Sequence, residues 1–365
     1  MKLLKICFFN SCKVWGGGEK WHYEMAENMK KSGHDVTVAT SKNSELSLKA
    51  KESKLRVEEF EIGNMTFLNP LKMQKIICFF KQEKYDILIL NLPSDLKSAG
   101  IACRLSSNAK VVYRRGSAIP IKNSFLNRIL FSKVVEYIIA NSEETKNTIL
   151  QKNSGLFDKN KIYVIYNGIN IAEYNNREYE KLYENQENEI VIGNAGRLSK
   201  QKNQIFLIKL AEYLKESGEK FKIVIAGKGE IEEELKKEVE KRGLTKEVIF
   251  VGFIKNIRSF MKSIDIFLLP SHWEGFGYVL VEAMLAEKPV IAFNISSNPE
   301  IVEDGKSGFL IEKDSIKECY DKIKKLSENR EYCLEMGKYG KISSEKKFSD
   351  ETAVNELEKL LKNLN

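Results

Sequence analysis

The sequence predicts an α/β fold in which two domains, each built on a parallel sheet, follow one another along the chain. Short apolar runs typical of buried strands alternate with amphipathic helical stretches from end to end. At residues 171–189 this alternation stops, because Glu, Asn, Tyr and Lys dominate and apolar residues are few. A chain of 365 residues also exceeds the usual size of one core and matches two domains of about 150 to 180 residues.

The first half of the chain contains seven strand-like runs. They are Leu3–Phe9, Asp35–Thr40, Leu55–Glu61, Asp86–Asn91, Lys110–Arg114, Val135–Ala140 and Ile162–Ile165. Helical patterns such as Glu19–Lys31 and Pro93–Leu105 lie between most of them. We therefore assign residues 1–170 to a first domain and residues 171–189 to a linker region.

The second half continues the same alternation. Its strand-like runs are Ile190–Asn194, Phe221–Ala226, Val248–Val251, Asp265–Leu269, Val290–Phe293 and Phe309–Ile311. These runs place a second domain at residues 190–349. The last segment, Asp350–Leu361, has the apolar spacing of an amphipathic helix.

The composition is that of a soluble globular protein, with 42% hydrophobic residues and a mean hydropathy of −0.35. No apolar run approaches the roughly 20 residues that cross a bilayer. We interpret Met1–Phe9 as a buried strand and not as a signal peptide, because Lys5 interrupts its apolar run. The six cysteines form no Cys-x-x-Cys pair, which predicts reduced thiols and a cytoplasmic location.

The net charge of +8 is compatible with nucleic acid, anionic lipid or phosphorylated small molecules as partners. No nucleic-acid-binding motif is present, and most lysines stand beside glutamates on helical stretches, so no nucleic-acid partner is predicted. The three histidines are far apart in sequence, which argues against a histidine-based metal site. No Asp-x-Asp stands at the end of a strand-like run, so we predict no obligatory metal.

Two glutamates eight positions apart, Glu274 and Glu282, follow the strand-like run Asp265–Leu269. Gly275 and Gly277 separate that strand from a helical pattern at 279–286, so Glu274 lies in the loop and Glu282 in the first turns of the helix. Backbone N–H groups of residues 275–279 have no intrahelical partner and favour anions. The pattern indicates a site for a ligand with hydroxyls and phosphates. The alternative is a solvated helix face.

A second group of polar residues lies in the loop after the strand-like run Ile190–Asn194. Arg197, Lys200 and Lys202 precede a helix that opens near Asn203. Three cations at a helix N-terminus do not stabilise the helix, because its dipole favours anions there. An arginine can hold two phosphate oxygens and a lysine a third, so the loop is predicted to bind an anion. An exposed basic turn is the alternative.

Three glycines, Gly16–Gly18, follow the first strand and precede a helix. Without Cβ atoms the backbone can approach a phosphate or a sugar closely, and its N–H groups can form an anion nest. The spacing is not Gly-x-Gly-x-x-Gly, so a dinucleotide site is only weakly supported. A simple tight turn is the alternative here, as a flexible turn is for Gly227 and Gly229 after the strand Phe221–Ala226.

Together these stretches resemble the retaining glycosyltransferases of family 4, which use nucleotide-sugar donors and have the GT-B fold. The resemblance covers nearly all of residues 190–311 and is looser in the first half. The residues that carry it are Gly196-Arg197 with Lys202, Ala226–Gly229, Glu274–Gly277 with Glu282, Pro289–Ala292 and Glu300–Leu310, and in the first half Gly16–Gly18, Gly33–Val38 and Asn167-Gly168.

The resemblance implies two tandem, doubly wound Rossmann-like domains with an inter-domain cleft that binds the ligand. It also implies a final helix, at about residues 350–365, that packs back on the first domain. It also implies that Arg197 and Lys202 stabilise the diphosphate leaving group in place of a metal, so no cofactor is obligatory. Glu274 would bind the sugar hydroxyls and Glu282 the ribose hydroxyls.

Further donor contacts are implied at the edges of the same pocket. The complete set is Gly17, Gly18, Gly196, Gly227, Phe253, Gly275, Phe276, Gly277, Tyr278 and Glu282. Many family members carry a histidine after the fifth strand of the first domain, where this chain has Arg115, or Arg114 in the next-best alignment. Arginine cannot act as a base, but it can stabilise an oxyanion or hold an acceptor phosphate. A pair of surface arginines is the alternative.

The implied function is transfer of a hexose from a nucleoside-diphosphate sugar, with UDP preferred over GDP, to an acceptor hydroxyl in cell-envelope polysaccharide or lipid-linked glycan synthesis. A nucleotide-sugar 2-epimerase, a phosphorylase or synthase with a soluble acceptor, and a non-catalytic nucleotide-sugar-binding protein remain alternatives. Two basic amphipathic stretches, Leu71–Lys84 and Pro120–Val134, are either core-facing helices with solvated lysines or a peripheral contact with anionic membrane at its inner face.

Overall fold

The structure, a computed structural model, describes residues 3–183 and 189–364, which form two compact units. The first unit comprises the described residues up to Gly168 together with those from Asp350 onward, and the second comprises Ile169–Ser349. Each unit contains one sheet whose strands all pair in parallel. The predicted class, two tandem doubly wound α/β domains, is confirmed. Residues 184–188 of the predicted linker lie outside the described residues.

Within the described residues the first sheet has seven strands in the order β3-β2-β1-β4-β5-β6-β7 and the second has six in the order β10-β9-β8-β11-β12-β13. The strands of the first sheet are β1 (Lys5–Asn10), β2 (Asp35–Ser41), β3 (Arg56–Phe60), β4 (Ile87–Leu90), β5 (Lys110–Arg115), β6 (Tyr137–Ala140) and β7 (Ile162–Val164). Those of the second are β8 (Ile190–Ala195), β9 (Phe221–Ala226), β10 (Val248–Gly252), β11 (Ile266–Leu269), β12 (Val290–Phe293) and β13 (Gly308–Ile311).

Helices connect these strands. They are α1 (Gly17–Lys31), α2 (Glu45–Glu52), α3 (Pro70–Glu83), α4 (Pro93–Asp95), α5 (Ile101–Ser106), α6 (Phe125–Ile129), α7 (Glu143–Ile149), α8 (Ile171–Asn176), α9 (Ile205–Glu216), α10 (Glu232–Lys241), α11 (Ile257–Lys262), α12 (Tyr278–Leu285), α13 (Asn298–Ile301), α14 (Ile316–Glu328), α15 (Arg330–Lys347) and α16 (Asp350–Leu364). Short 3₁₀ turns lie at Thr66–Leu68 and Lys159–Lys161, and π-helical turns at Leu96–Gly100 and Leu130–Val134.

Two local predictions differ from the structure. The predicted helix Pro93–Leu105 is observed as α4, a π-helical turn and α5 in succession. Residues 171–176, predicted as linker, form helix α8, because Asn170 accepts a hydrogen bond from the Glu173 N–H and Tyr174 is buried. Such a short helix depends on one cap and one buried ring, which leave no apolar periodicity to detect.

The strand order creates one crevice in each sheet. In the first sheet the chain proceeds outward from β1 through β2 and β3, and then outward on the other side from β4. In the second sheet the same reversal lies between β8 and β11. Loops leaving the carboxyl ends of two such strands diverge, which is where open α/β sheets bind ligands. The loops with Arg197, Lys202 and Glu274 follow β8 and β11.

The C-terminal helix α16 packs in the first unit. Its apolar face, which includes Leu357 and Leu361, joins a buried cluster with Trp21 and Met25 of α1. His34 adds a polar contact, since its Nδ1 accepts a hydrogen bond from the Leu4 N–H and its Nε2 lies 3.3 Å from Glu358 Oε1. Thus α16 is part of the core of the first unit. Among the described residues, no helix combines the length and apolarity needed to cross a membrane.

Leu361→Ala is expected to lower the free energy of unfolding by about 2–5 kcal/mol, because it removes a fully buried side chain and leaves a cavity. Urea-induced unfolding followed by circular dichroism measures this change. Leu334→Ala on α15 is the control, since Leu334 is exposed and its truncation should change stability by no more than about 0.5 kcal/mol. Equal effects of the two substitutions would contradict the packing of α16.

Candidate active site

The candidate site lies at the carboxyl edge of the second sheet, where the loops after β8, β9 and β10 are joined by backbone hydrogen bonds. The Gly196 N–H donates to the Ala226 carbonyl at 2.9 Å, and the Leu198 N–H donates to the Lys228 carbonyl at 3.0 Å. The Gly227 N–H donates to the Gly252 carbonyl at 2.7 Å. The ladder of the sheet therefore continues into these loops and fixes them relative to one another.

Gly227 and Gly229 allow this close approach. A Cβ atom on Gly227 would lie 1.8 Å from the Gly196 carbonyl oxygen, and one on Gly229 would lie 2.0 Å from that of Leu198. Gly227 also has a φ of +138°, in the region that favours glycine. These two glycines are thus required for packing against the loop after β8, whether or not Gly227 also contacts a ligand as predicted. A merely flexible turn does not account for them.

Gly227→Ala is expected to lower the free energy of unfolding by roughly 2–4 kcal/mol and to weaken nucleotide binding, because the loop after β8 must move to admit the methyl group. Urea unfolding and calorimetric titration measure the two effects. Gly218→Ala is the matched control, since Gly218 also has a positive φ, +76°, but open space around its Cβ position. If both variants lose only about 1 kcal/mol, the steric argument is wrong.

The loop after β8 is also joined to the loop after β11. The His272 N–H donates to the Gln201 carbonyl at 2.8 Å, and Gln201 Nε2 donates to the Trp273 carbonyl at 2.9 Å. Asn203 Nδ2 donates to the Pro270 carbonyl at 3.1 Å. These bonds hold the segment around Lys202 directly against the segment that carries Glu274.

Lys202 and Glu274 form an ion pair, with Nζ 2.6 Å from Oε1. The Glu274 side chain is only 8% exposed and that of Lys202 is 20% exposed. A charge-assisted bond of this length in a poorly solvated place holds both side chains in one geometry. The sequence indicated separate roles for these residues, a sugar contact and a phosphate contact, and the structure brings the two groups together.

The other cations of the loop after β8 extend outward. The Arg197 and Lys200 side chains are exposed. The Arg197 backbone is held in place, because its carbonyl accepts a hydrogen bond from Gln204 Nε2 at 3.0 Å. Arg197 therefore combines a fixed backbone with an exposed guanidinium. The structure does not bring the Arg197 and Lys202 side chains into contact with each other.

Helix α12 begins beside Glu274. Its N-cap is Gly277, with a φ of 84°, and the N-cap makes no side-chain hydrogen bond to the first turn. Phe276 is buried and packs edge-on against Tyr278 and Phe348, with ring centroids 5.3 and 5.5 Å apart. Gly275 is half-buried. A ligand would therefore meet this turn through its backbone, and the Phe276 ring serves to anchor it.

Two further predicted donor contacts, Glu282 and Phe253, lie on either side of this turn. Glu282 is half-buried in α12, and its carbonyl accepts a hydrogen bond from the Tyr174 hydroxyl at 2.6 Å. Phe253, in the loop after β10, is 72% exposed. An exposed aromatic ring at the carboxyl edge of the sheet is available to a ligand, and the loop bond from Gly227 to Gly252 places it next to the loop after β9.

Several polar residues of this edge were not singled out from the sequence. Within the described part of the chain, Ser271 Oγ, Ser297 Oγ and Asn298 Oδ1 are buried without a hydrogen-bond partner. The Asn298 oxygen lies 3.8 Å from the Cβ position of Gly277, so it is near the start of α12. Serines and asparagines that follow strands are common in loops, so only the fold identifies these three as candidates.

In the first unit the Gly16–Gly18 turn lies against the end of β4. A Cβ atom on Gly18 would lie 2.6 Å from Asn91 Nδ2, so this position needs glycine for close packing. Glu19 in the first turn of α1 is buried and accepts a hydrogen bond from Asn10 Nδ2 at 2.9 Å. The N-terminus of α1 thus already has a carboxylate from its own chain beside it.

The two arginines at the end of β5 differ in burial and in hydrogen-bond partners. Arg114 is 2% exposed, donates to Asn91 Oδ1 at 3.1 Å and to Asn167 Oδ1 at 2.9 Å, and stacks 4.7 Å from the Trp21 ring centroid. Arg115 is half-buried and donates to the Ile119 carbonyl at 2.7 Å. The alternative interpretation, that both arginines lie on the surface, is therefore wrong. Arg114, the second choice from the sequence, is the arginine that shares Asn91 with the Gly18 turn.

Two buried ionisable groups of the first unit have shifted pKa values. Burial, followed by the nearby Arg114 charge, lowers the pKa of His22 to about 3, so this histidine is neutral. Burial raises the pKa of Asp95 to about 7, although the N–H and the hydroxyl of Ser11 both donate to its carboxylate. Neither residue was predicted as part of a site. The Asp95 carboxylate, at the end of α4, thus accepts hydrogen bonds from the loop after β1 across the crevice of the first sheet.

Among the described residues, no group of three or more His, Cys, Asp or Glu side chains is placed to hold a metal ion.

Comparisons with known proteins cover both units. Residues 15–173 match the family model Glycosyltransferase Family 4, and residues 175–343 match the model Glycosyl transferases group 1. The capsular polysaccharide biosynthesis glycosyltransferase CapM of Staphylococcus aureus is 29% identical over 350 residues, which are 92% of this chain and 91% of that protein.

A second relative is the UDP-Gal:alpha-D-GlcNAc-diphosphoundecaprenol alpha-1,3-galactosyltransferase of Escherichia coli, with 28% identity over 69% of each chain. Among solved structures, Anabaena Alr3699/HepE in complex with UDP superposes with a TM-score of 0.84. That superposition covers 99% of this chain and 100% of that chain at 21% identity, so it concerns the fold. The resemblance inferred from the motifs and the GT-B fold it implied are confirmed.

Proposed function

Because this chain belongs to the group 1 glycosyltransferases, we propose that it is a retaining hexosyltransferase that uses a UDP-sugar as donor. The observation that carries this proposal is the arrangement at the crevice between β8 and β11. There Lys202 contacts Glu274, the exposed Arg197 follows the same strand as Lys202, and α12 begins beside them. Cations, a carboxylate and a helix N-terminus suit a ligand with both phosphates and hydroxyls.

We infer that Arg197 and Lys202 stabilise the departing diphosphate. Negative charge develops on the leaving group in the transition state, and cations already in place contribute most where such charge forms. The backbone N–H groups at the start of α12 add a positive dipole end at the same place. In the proposed reaction these groups do the work that a metal ion does elsewhere, so no metal is obligatory.

Glu274 is proposed to accept hydrogen bonds from the sugar hydroxyls, and Glu282 from the ribose hydroxyls. A double displacement with retention needs a free carboxylate as nucleophile on the reacting face. Glu274 is bonded to Lys202, which lowers its nucleophilicity and suits it better to positioning the sugar. Arg114 donates a hydrogen bond to Asn91, which packs against the Gly18 turn. We propose that Arg114, and not Arg115, supports the acceptor side of the reaction by holding this turn in place.

The acceptor is proposed to be a growing cell-envelope polysaccharide or a lipid-linked glycan at the inner face of the membrane. The similarity to a capsular polysaccharide glycosyltransferase over most of the chain supports the first part of this proposal. The similarity to a galactosyltransferase named for a diphosphoundecaprenol acceptor supports the second. The hexose and the linkage are to be found by screening donors against such acceptors.

Calorimetric titration of the purified protein with UDP and with GDP, without metal and then with Mg²⁺, tests the donor site. We expect micromolar binding of UDP, roughly −8 kcal/mol, that does not depend on Mg²⁺. Tighter binding of GDP would mean that the donor is a GDP-sugar. A strict need for Mg²⁺ would contradict the proposed role of Arg197 and Lys202. If neither nucleotide binds, the proposed site is wrong.

A further inference from the structure

The loop between β1 and α1 has buried ends and an exposed middle. Ser11, at its start, and Glu19, in the first turn of α1, are buried. Between them Val14 is 75% exposed, and Gly16 and Gly17 are exposed as well. This loop leaves the carboxyl end of β1 beside the crevice of the first sheet, where open α/β sheets bind ligands.

Every polar group of Ser11 is hydrogen-bonded. Its N–H donates to Asp95 Oδ2 at 3.1 Å, its hydroxyl donates to Asp95 Oδ1, and its carbonyl accepts a hydrogen bond from Ser41 Oγ at 2.6 Å. Asp95 ends α4, which follows β4, so its two contacts with Ser11 cross the crevice between β1 and β4. The position of the loop relative to β4 therefore depends on the Asp95 carboxylate.

The rest of the loop is joined to its own side of the crevice. Asn10 Nδ2 donates to Glu19 Oε1 at 2.9 Å, which connects the end of β1 to the start of α1. The half-buried Trp15 packs edge-on against Tyr23 of α1, with ring centroids 6.4 Å apart. Asp95 thus supplies the contact to the opposite side, and Trp15 lies in the segment that this contact positions.

Stability does not explain an aspartate at position 95. Asp95 is fully buried, and the hydrogen bonds that favour its ionised form come from neutral groups of Ser11, Leu92 and Ser94. Burial outweighs these bonds and raises the pKa from 3.8 to about 7. An asparagine of the same size could accept the Ser11 N–H without the cost of burying a charge. A carboxylate that costs stability beside an exposed loop indicates a role in the function of that loop.

We propose that Asp95 is a positioning residue of the reaction, whose carboxylate fixes the start of the loop after β1 so that the exposed middle of the loop meets the acceptor in one conformation. The proposal rests on the proposed function, in which the first unit carries the acceptor side. Asp95 itself is buried and acts through Ser11, without contact to the substrate.

The titratable groups around Asp95 belong to two neighbouring elements. They are Cys12 in the loop and Tyr113 on β5, and burial, with a smaller contribution from the Asp95 charge, raises the pKa of both. Both therefore stay protonated at neutral pH. Beyond them, the Glu19 charge acts on Cys12 and the Arg115 charge acts on Tyr113. A change in the loop near pH 7 would thus report the protonation of Asp95.

Trp15 fluorescence tests the loop independently of activity. The difference between the spectra of the wild type and Trp15→Phe isolates Trp15 from the two other tryptophans. We expect this difference to change with a midpoint near pH 7, and the change to be absent in Asp95→Asn. Because the folded state disfavours the ionised carboxyl, the wild type should also lose stability relative to Asp95→Asn as the pH rises from 3.8 to about 7.

Steady-state kinetics test the effect on the reaction. We expect Asp95→Asn to lower kcat/KM for the acceptor by about tenfold at pH 8, because a charged group holds the Ser11 donors more strongly than a neutral one. The loss should shrink below about pH 7, where the wild-type carboxyl is protonated. UDP affinity should stay within about twofold, since the cations proposed to bind UDP belong to the second unit. Ser11→Ala, which keeps the carboxylate and removes one donor, should lower kcat/KM by about threefold.

Asp86→Asn is the matched control. Asp86, directly before β4, accepts a hydrogen bond from the Lys5 N–H of β1 at 2.7 Å, so it joins the same two strands at the opposite edge of the sheet. This substitution should change neither kcat/KM nor the Trp15 signal.

Three results would overturn the proposal. They are a wild-type Trp15 signal that does not depend on pH near 7, an equal loss of kcat/KM in Asp86→Asn, and unchanged kcat/KM in both Asp95→Asn and Ser11→Ala. A parallel fall of UDP affinity and kcat/KM would also contradict it, because Asp95 would then support the fold in general. If the wild type binds neither UDP nor GDP, the proposed function fails, whereas the Trp15 titration still decides whether Asp95 holds the loop.

Discussion

Lys202→Ala is expected to lower turnover by about 10²-fold or more, the effect expected from removing one preorganised group that stabilises charge in the transition state. The structure adds a second reason. Lys202 is the partner of Glu274, whose side chain is only 8% exposed, so the variant also leaves a poorly solvated carboxylate without its cation. That carboxylate would then repel the donor diphosphate, and we expect weaker UDP binding together with the slower reaction.

Lys200→Ala is the matched control for this experiment. Lys200 is a cation in the same loop, two residues away, but its side chain is exposed and the loop does not hold it against Glu274. We expect Lys200→Ala to change turnover by less than about threefold, as for an exposed surface charge. Steady-state kinetics and UDP titration on both variants give the comparison. Near wild-type turnover of Lys202→Ala would remove this residue from the mechanism.

The contact between Lys202 and Glu274 shows where prediction from sequence reaches its limit. The strand-like runs around both residues were found, because fully buried parallel strands are short apolar runs bounded by glycine and polar residues. The two residues are 72 positions apart, and they meet only because β8 lies next to β11 in the sheet. No local pattern encodes that strand order, so the sequence indicated two ligand contacts but not the bond between them.

The two arginines of β5 illustrate a different limit. Side chains alternate between the faces of a strand, so Arg114 and Arg115 must point to opposite sides. Val112, two residues before Arg114, belongs to the buried cluster beneath α1, and Tyr113, two before Arg115, belongs to the cluster on the other face. The Gly18 turn is at the start of α1, so Arg114 is the one near it. The alternation of side chains along β5 can be predicted from the sequence, but which face of the sheet α1 covers cannot.

Gly227 and Gly229 show that a glycine motif interpreted as functional can also be required for packing. Gly227 and Gly229 were predicted as either part of a nucleotide pocket or a flexible turn, and the structure supplies a third reason, close contact with the Gly196 and Leu198 carbonyls. A glycine whose Cβ would meet another backbone is required for steric reasons alone. Likewise, the basic amphipathic helices did not reveal which of their apolar residues face water, because burial depends on neighbours that come from distant parts of the chain.

Glu274→Gln is expected to separate donor binding from catalysis. The amide keeps the size of the side chain but has no charge, so Lys202 loses its strong internal partner and can interact fully with a diphosphate. We therefore expect UDP affinity to rise by up to about tenfold, or 1.4 kcal/mol. Turnover should fall by about 10²-fold, because the amide accepts weaker hydrogen bonds from the sugar hydroxyls than the carboxylate does.

The opposite signs of the two effects make this variant informative. A residue that merely holds the loop in place would, when changed, weaken UDP binding and turnover together, and would also lower the midpoint of thermal unfolding. Glu230→Gln is the control, since Glu230 is an exposed carboxylate in the loop after β9, at the same edge of the sheet, and should leave both quantities nearly unchanged. A parallel fall of affinity and turnover in Glu274→Gln would mean that Glu274 supports the nucleotide site. The interpretation that Glu274 competes with the donor diphosphate for Lys202 would then be wrong.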